Sequence, residues 1–277
     1  MSRNSDRLGL NSQPESGEAP PQMFNPLSFT APTEFVNLPS KGVGYHKEHP
    51  LHGKESLEIR YMTAKDEDTL SNQSLIKKGV ALERLLENII IGANIDPLTL
   101  LIADRNAILI QARGTAYGFD YEGRVTCPNC QTSNTIMFDL REPTIVGGYN
   151  EDQNTVRISD DGLFVTTLPF SKFNIKFRLA NGIEESKIAQ ILINEKKEFS
   201  ISEQYKEMIL SIEGHTDQDV INQFVDNMPM ADSAHFKACL KHASPSIDIS
   251  EVLTCKNCSH EQEVQVPFGT DFFWPNS

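Results

Sequence analysis

The sequence predicts an α+β protein in which two similar helix-rich repeats are joined by a four-cysteine zinc ribbon and preceded by a flexible arm. Three observations predict it. The phrase Val125-Thr126-Cys127-Pro128-Asn129-Cys130 returns as Leu253-Thr254-Cys255-Lys256-Asn257-Cys258, and each copy is followed by a strand-like tail, Thr135-Ile136-Met137-Phe138 and Val264-Gln265-Val266. The order of elements before each knuckle is the same, strand and then helices. The spacing is also kept: an offset of 128 carries Ala103-Asp104 onto Ala231-Asp232, Asp120 onto Asp248, Asn129 onto Asn257 and Phe138 onto Val266. Further upstream the register drifts, with Ile59-Arg60-Tyr61 facing Ile175-Lys176-Phe177 at an offset of 116.

Two thiolates cannot complete a tetrahedral site, so the economical reading closes both knuckles, Cys127 and Cys130 with Cys255 and Cys258, on one structural Zn2+ per chain. Each repeat then ends in half a binding site, and the metal is saturated only when the halves pair. The free energy of binding such an ion is free energy of folding. The 124 residues between Cys130 and Cys255 make the clip more consequential, because closing so long a loop costs chain entropy.

Residues 1–30 are rich in Ser, Asn, Pro, Gly and Glu, the composition of a flexible arm. The first repeat spans 31–140. Its structure begins near Phe35-Val36-Asn37-Leu38-Pro39, turns at Lys41-Gly42-Val43-Gly44, and continues with the alternating strand Leu57-Glu58-Ile59-Arg60-Tyr61-Met62. Leu82, Leu85, Leu86, Ile89 and Ile90 fall at helical spacing in a segment that stops at Gly92. Asp96-Pro97 opens the next helical segment, and Asp104 caps one running from Arg105 to Arg113, ended by Gly114.

A linker at 141–160 leads to the second repeat, 161–277. Phe164–Leu168 and Phe173–Leu179 read as strands joined by a Pro-Phe-Ser-Lys turn, and a helix carrying Ile188, Ile191 and Leu192 follows. Ser200 and Glu203 form a capping box before Tyr205–Ile212. Thr216 caps a helix carrying Val220, Ile221, Phe224 and Val225 that stops near Met228-Pro229, and Asp232 caps Ser233–His242.

The formal charge of −13 in 277 residues disfavours nucleic acid, because phosphate contacts need a basic footprint. Four of the five cysteines sit in the knuckles, which is reduced, intracellular usage rather than a disulfide framework. Met1–Gln22 lacks the apolar core of a signal peptide, and Ile89-Ile90-Ile91 is too short to span a bilayer. The expectation is a soluble chain with no membrane partner.

Other residues invite chemistry and have simpler explanations. His46, His49 and His52 keep a three-residue rhythm, but Pro50 breaks any helix that would align them. His260 would serve as a ligand only if a thiol were absent. Cys239, on an apolar helix face, reads as a small core residue. Asp66-Glu67-Asp68 and Glu184-Glu185 lie where helix N-termini favour negative charge. Four thiolates leave no open position for water, and phosphate-loop, dinucleotide and Ser-His-Asp patterns are absent, so no catalytic residue, cofactor pocket or small-molecule substrate is expected. Phe272-Phe273-Trp274 either packs back on the ribbon, the favoured reading, or anchors a neighbouring subunit.

With these motifs laid out, the chain resembles the baseplate hub protein family of T-even-type contractile-tailed bacteriophages. The resemblance rests on Leu38-Pro39-Ser40-Lys41-Gly42 with Tyr45, Tyr61-Met62-Thr63-Ala64-Lys65-Asp66-Glu67-Asp68 and Leu75-Ile76-Lys77-Lys78-Gly79. It continues through Asp104-Arg105-Asn106-Ala107-Ile108, Ala116-Tyr117-Gly118 and the first knuckle, in order over residues 35 to 140. The second half is similar to the extended members through Met228-Pro229-Met230-Ala231-Asp232-Ser233, the second knuckle and Phe272-Phe273-Trp274-Pro275.

The resemblance implies a non-enzymatic structural or assembly component of the tail baseplate hub, with other hub and tail proteins as partners. It places the chain in the cytoplasm of an infected bacterium or in the virion tail baseplate. The rival readings are a transient assembly chaperone that leaves the mature virion and, from another class, a zinc-ribbon nucleic-acid-binding or regulatory protein.

Overall fold

The structure, a computed structural model, describes residues 30–92, 95–141, 143–151, 155–187, 200–266 and 272–273. Residues 1–29 of the arm therefore lie outside the described residues, as do Ile188, Ile191, Leu192 and Trp274. Mixed helices and small antiparallel sheets give the α+β class expected.

Strand β1 (Thr33–Asn37) pairs with β2 (Ser56–Arg60), Val36 opposite Leu57, and the period-two pattern buries Val36, Leu57 and Ile59 on one face. Helices α1 (Ala64–Ser71), α2 (Gln73–Lys78) and α3 (Ala81–Ile89) follow, then a 3-10 turn over Pro97–Thr99 that Asp96 caps as expected, its carboxylate accepting from the Leu98 N–H. Helix α3 stops before Gly92 because its exit runs onto β2: Ile90 bridges Ile59, and the Ile91 N–H donates to the Glu58 carbonyl at 3.0 Å.

Helix α4 (Ile102–Tyr117) leads into the hairpin β3 (Asp120–Thr126) and β4 (Ser133–Asp139). It passes through Gly114 and ends at Gly118. Gly114 is a packing residue rather than a terminator, since a Cβ there would meet the Phe119 ring at 2.2 Å.

Strand β5 (Thr144–Gly147), within the span read as a linker, pairs with the distant β10 (Pro245–Asp248). A four-stranded sheet runs β6 (Arg157–Ile158), β7 (Phe164–Thr167), β8 (Asn174–Phe177), β9 (Ile209–Ile212). Residues 209–212 thus leave the helix expected over 205–212, because they complete the sheet edge beside β8. The remaining elements are α5, described over residues 182–187, α6 (Ile201–Met208), α7 (Gln218–Asp226), α8 (Met230–Ala243) and the hairpin β11 (Ser250–Thr254) with β12 (Glu261–Gln265). Ser200 and Glu203 do form the capping box of α6, whereas Asp217, not Thr216, caps α7.

Asp104 and Asp232 were expected as caps, and neither is one. Each is the third residue of its helix, buried, and turned to a loop from an earlier strand pair. Asp104 accepts from the Ser40 N–H (2.9 Å), the Ser40 hydroxyl (2.6 Å) and the Tyr45 hydroxyl (2.8 Å). Asp232 accepts from the Phe170 and Ser171 N–H groups at 2.7 and 3.0 Å. The carboxylates satisfy turn donors that would otherwise be buried unpaired.

One continuous apolar core holds these elements, with Phe236 set edge-on to both Phe177 and Tyr205 at 5.2 and 4.8 Å between ring centres. Beside it stand two ion-pair clamps. Arg60 grips Asp66 through two bonds of 2.6 and 2.9 Å, and Arg178 grips Glu184 through two of 2.7 Å. Both carboxylates also cap their helices, accepting from the Thr63 N–H (2.8 Å) and the Asn181 N–H (3.0 Å).

Burial alone would raise both carboxyl groups, but the guanidinium and amide donors overcome it and hold them below the usual range. A depressed folded pKa gives stability that is present above the unfolded value, near about pH 4, and lost as pH falls through the folded one. The melting temperature should therefore drop on the acid side of about pH 4. Asp66→Asn with Glu184→Gln should lower it at neutral pH and flatten that acid limb, as a series of melts against pH would record.

Candidate metal centre

The two knuckles are built by the same local bonds. At the β3–β4 turn the Cys127 N–H donates to the Thr132 carbonyl and the Gln131 N–H to the Cys127 carbonyl, both at 2.9 Å. At the β11–β12 turn the Cys255 N–H donates to the His260 carbonyl and the Ser259 N–H to the Cys255 carbonyl, again at 2.9 Å. Gln131 and Ser259 both take positive φ, 57° and 54°, so each chain reverses directly after its second cysteine.

The hairpins face each other and bring all four sulfurs within 4.8 Å of one another. Cys127 Sγ lies 3.7 Å from Cys258 Sγ, and Cys130 Sγ lies 3.5 Å from Cys255 Sγ. Thiolates about 2.3 Å from a shared ion at tetrahedral angles are about 3.8 Å apart, so the donor set fits a single metal ion.

Amide donors surround the cluster. Asn129 Nδ2 donates to Cys258 Sγ and Asn134 Nδ2 to Cys255 Sγ, each at 3.5 Å. Hydrogen bonds from the Thr132 hydroxyl and then the Asn257 amide pull Cys130 down to about 5. The backbone N–H groups of Asn257 and Cys258 lower Cys255, while burial pushes Cys127 up to about 11. Without a cation the cluster cannot hold four bare charges and shares its protons unevenly; with one, the same donors become outer support for the ligands.

Asn134 was not singled out from sequence, yet it ties the hairpins together. It is buried, donates to the Thr132 carbonyl at 2.9 Å, and accepts from the Lys256 N–H at 3.0 Å across the site. The available signal was register: Asn134 occupies the inward phase of β4, which Ile136 and Phe138 continue.

The other candidates have structural partners of their own. His49 stacks on Tyr45 and bonds Thr99, and His52 bonds the Tyr45 carbonyl. Cys239 is buried in the core beside Thr166 and His235, and burial raises its thiol. Glu185 pairs with Arg105 on α4. Phe272 and Phe273 are buried at an edge-on ring contact of 5.3 Å, Phe272 lying against Tyr121 of β3. Arg113, a second residue that sequence reading missed, donates to the Phe272 carbonyl at 3.1 Å.

The arrangement is that of a mixed α+β protein whose two distant hairpins close a four-thiolate centre able to hold a metal. The family model described as T4 bacteriophage base plate protein matches residues 35–274, and the chain belongs to that family. Searches of the curated proteins and of the solved structures each found no match. No helix among the described residues is long and apolar enough to cross a membrane.

Proposed function

We propose that the chain is a non-enzymatic structural or assembly component of the phage tail baseplate hub, acting through contacts with other hub and tail proteins. One structural zinc at Cys127, Cys130, Cys255 and Cys258 would hold its body together. The family match over residues 35–274 carries the baseplate role. Zinc is favoured among metals because four thiolates in a compact tetrahedron suit it and leave no position for substrate or water. Mass spectrometry of purified virions tests the role: the chain present among baseplate proteins supports a structural part, and its absence from virions that require it for assembly marks a departed chaperone.

We also read the body as a duplicated module. An offset of 118 carries Arg60, Thr63 and Asp66 onto Arg178, Asn181 and Glu184, which make the same clamp. The turn Leu38-Pro39-Ser40-Lys41 and the turn Leu168-Pro169-Phe170-Ser171-Lys172 each bond the buried Asp of a later helix. Their lysines share positive φ, 51° and 64°. Support thus comes from equivalent bonds as well as equivalent letters. If the modules are interchangeable at the ribbon, exchanging residues 125–131 with 253–259 should leave one zinc bound per chain; loss of the metal from that folded variant would count against the duplication.

Thiol titration supplies a further test. In the zinc-loaded protein no thiol should react quickly, a chelator should release four, and Cys239 should react only on unfolding, since it is fully buried.

A further inference from the structure

We infer that copies of this chain associate head to tail, with residues 63–68 of one copy seated on the α8 N-terminus of the next. The inference rests on the duplicated-module reading and begins from a contact within the chain. The start of α5 covers the start of α4: Asn181 bridges Leu101, the Gly182 N–H donates to the Leu100 carbonyl at 3.2 Å, and Glu185 pairs with Arg105. Leu100 and Leu101 are buried as a result.

The module equivalents of these partners do not meet. An offset of 128 takes Leu100 and Ile102 to Met228 and Met230, and the offset of 118 takes Ala64 and Glu67 to Gly182 and Glu185. Ala64 is exposed at the first position of α1, and Met230 is 82% exposed at the first position of α8. Neither the Ala64 N–H nor the Met228 carbonyl has a backbone partner among the described residues. Among the described residues, each chain therefore offers one unused covering segment and one unused seat. That valence makes a heterologous contact, which closes into a ring or continues as a filament.

The seat is also the more apolar of the two. The second turn is one residue longer than the first, and the extra residue, Phe170, is 70% exposed, with its N–H held by Asp232, two residues after Met230. Phe173, in ring contact with Phe224, extends the surface. Ser233 replaces Arg105, so the ion pair is not repeated, and apolar burial takes its place. Lys65, next to Ala64, is exposed, whereas Asp226, two residues before Met228, is already paired with Lys206, so the contact rests on apolar burial rather than on charge. Ala64 brings a methyl where Gly182 has none, and a Cβ on Gly182 would lie 3.1 Å from the Leu98 backbone, so the intermolecular contact must open by a few tenths of an ångström.

Sedimentation velocity of the full zinc-loaded chain over a range of concentrations tests this. The wild type should associate beyond its 31.0 kDa monomer, and Met230→Asp and Ala64→Glu should each sediment as monomers. Both positions are exposed first residues of helices, where acidic side chains are tolerated. A one-to-one mixture of the two variants should form a heterodimer and nothing larger, because one retains a seat and the other a covering segment. A wild type that stays monomeric at every concentration overturns the inference. So does dissociation by Met230→Asp without an effect of Ala64→Glu. Zinc retention by the knuckle-exchange variant alongside either result would leave the duplication standing and remove only the docking.

Discussion

Stripping the metal from the loaded protein is expected to part the β3–β4 and β11–β12 hairpins while the rest of the body stays folded. The two hairpins meet around the sulfurs, Asn134 and Lys256, and each keeps its own hold on the core, through Tyr121, Ile136 and Phe138 on one and Leu253 on the other. Binding free energies of structural zinc in small peptides are on the order of 10 kcal/mol, and part of that here opposes the loop entropy between the knuckles. Chelation should lower the melting temperature and should increase amide hydrogen exchange selectively in residues 120–139 and 250–265. Cys130→Ala should reproduce the effect without chelator. Uniform exchange throughout the chain would mean that the site supports the whole fold.

Replacing Arg113 is expected to release the C-terminal aromatic segment. This side chain is 1% exposed and has no carboxylate partner among the described contacts. Its Nε donates to the Phe272 carbonyl at 3.1 Å, its Nη1 to the Gly118 carbonyl, and its guanidinium lies 5.0 and 5.6 Å from the ring centres of Tyr121 and Phe272. Burial lowers its pKa, and the nearby Tyr121, Asp120 and Tyr117 side chains offset part of that. Arg113→Met removes the donors to two carbonyls and the cation beside two rings, a loss of about 3 kcal/mol. Arg113→Lys should recover little, since an ammonium cannot reproduce the planar fork. Chemical denaturation would give the loss, and proteolysis after Phe272 or Phe273 would report the freed segment.

The site was legible because cysteines in twin knuckles carry a spacing that little else explains. Most strands were legible for a similar reason: Leu57 and Ile59, or Ile175 and Phe177, alternate in a way that fixes which face is buried. What escaped was decided by partners far away in the chain. Residues 209–212 have helical neighbours and become a strand because β8 has a free edge, and β5 needs β10 nearly a hundred residues later. Asp104 and Asp232 sit where caps are common, yet they serve turns more than sixty residues earlier. Arg113 and Asn134 are polar residues on inward faces, and only the assembled core shows what they satisfy.

Metal analysis of the purified chain, with and without one knuckle, bears most directly on this account. One zinc per wild-type chain, lost from both the Cys127→Ser, Cys130→Ser variant and the Cys255→Ser, Cys258→Ser variant, is the expected result. A folded wild type that carries no metal, or a full complement of metal kept by either variant, would contradict it.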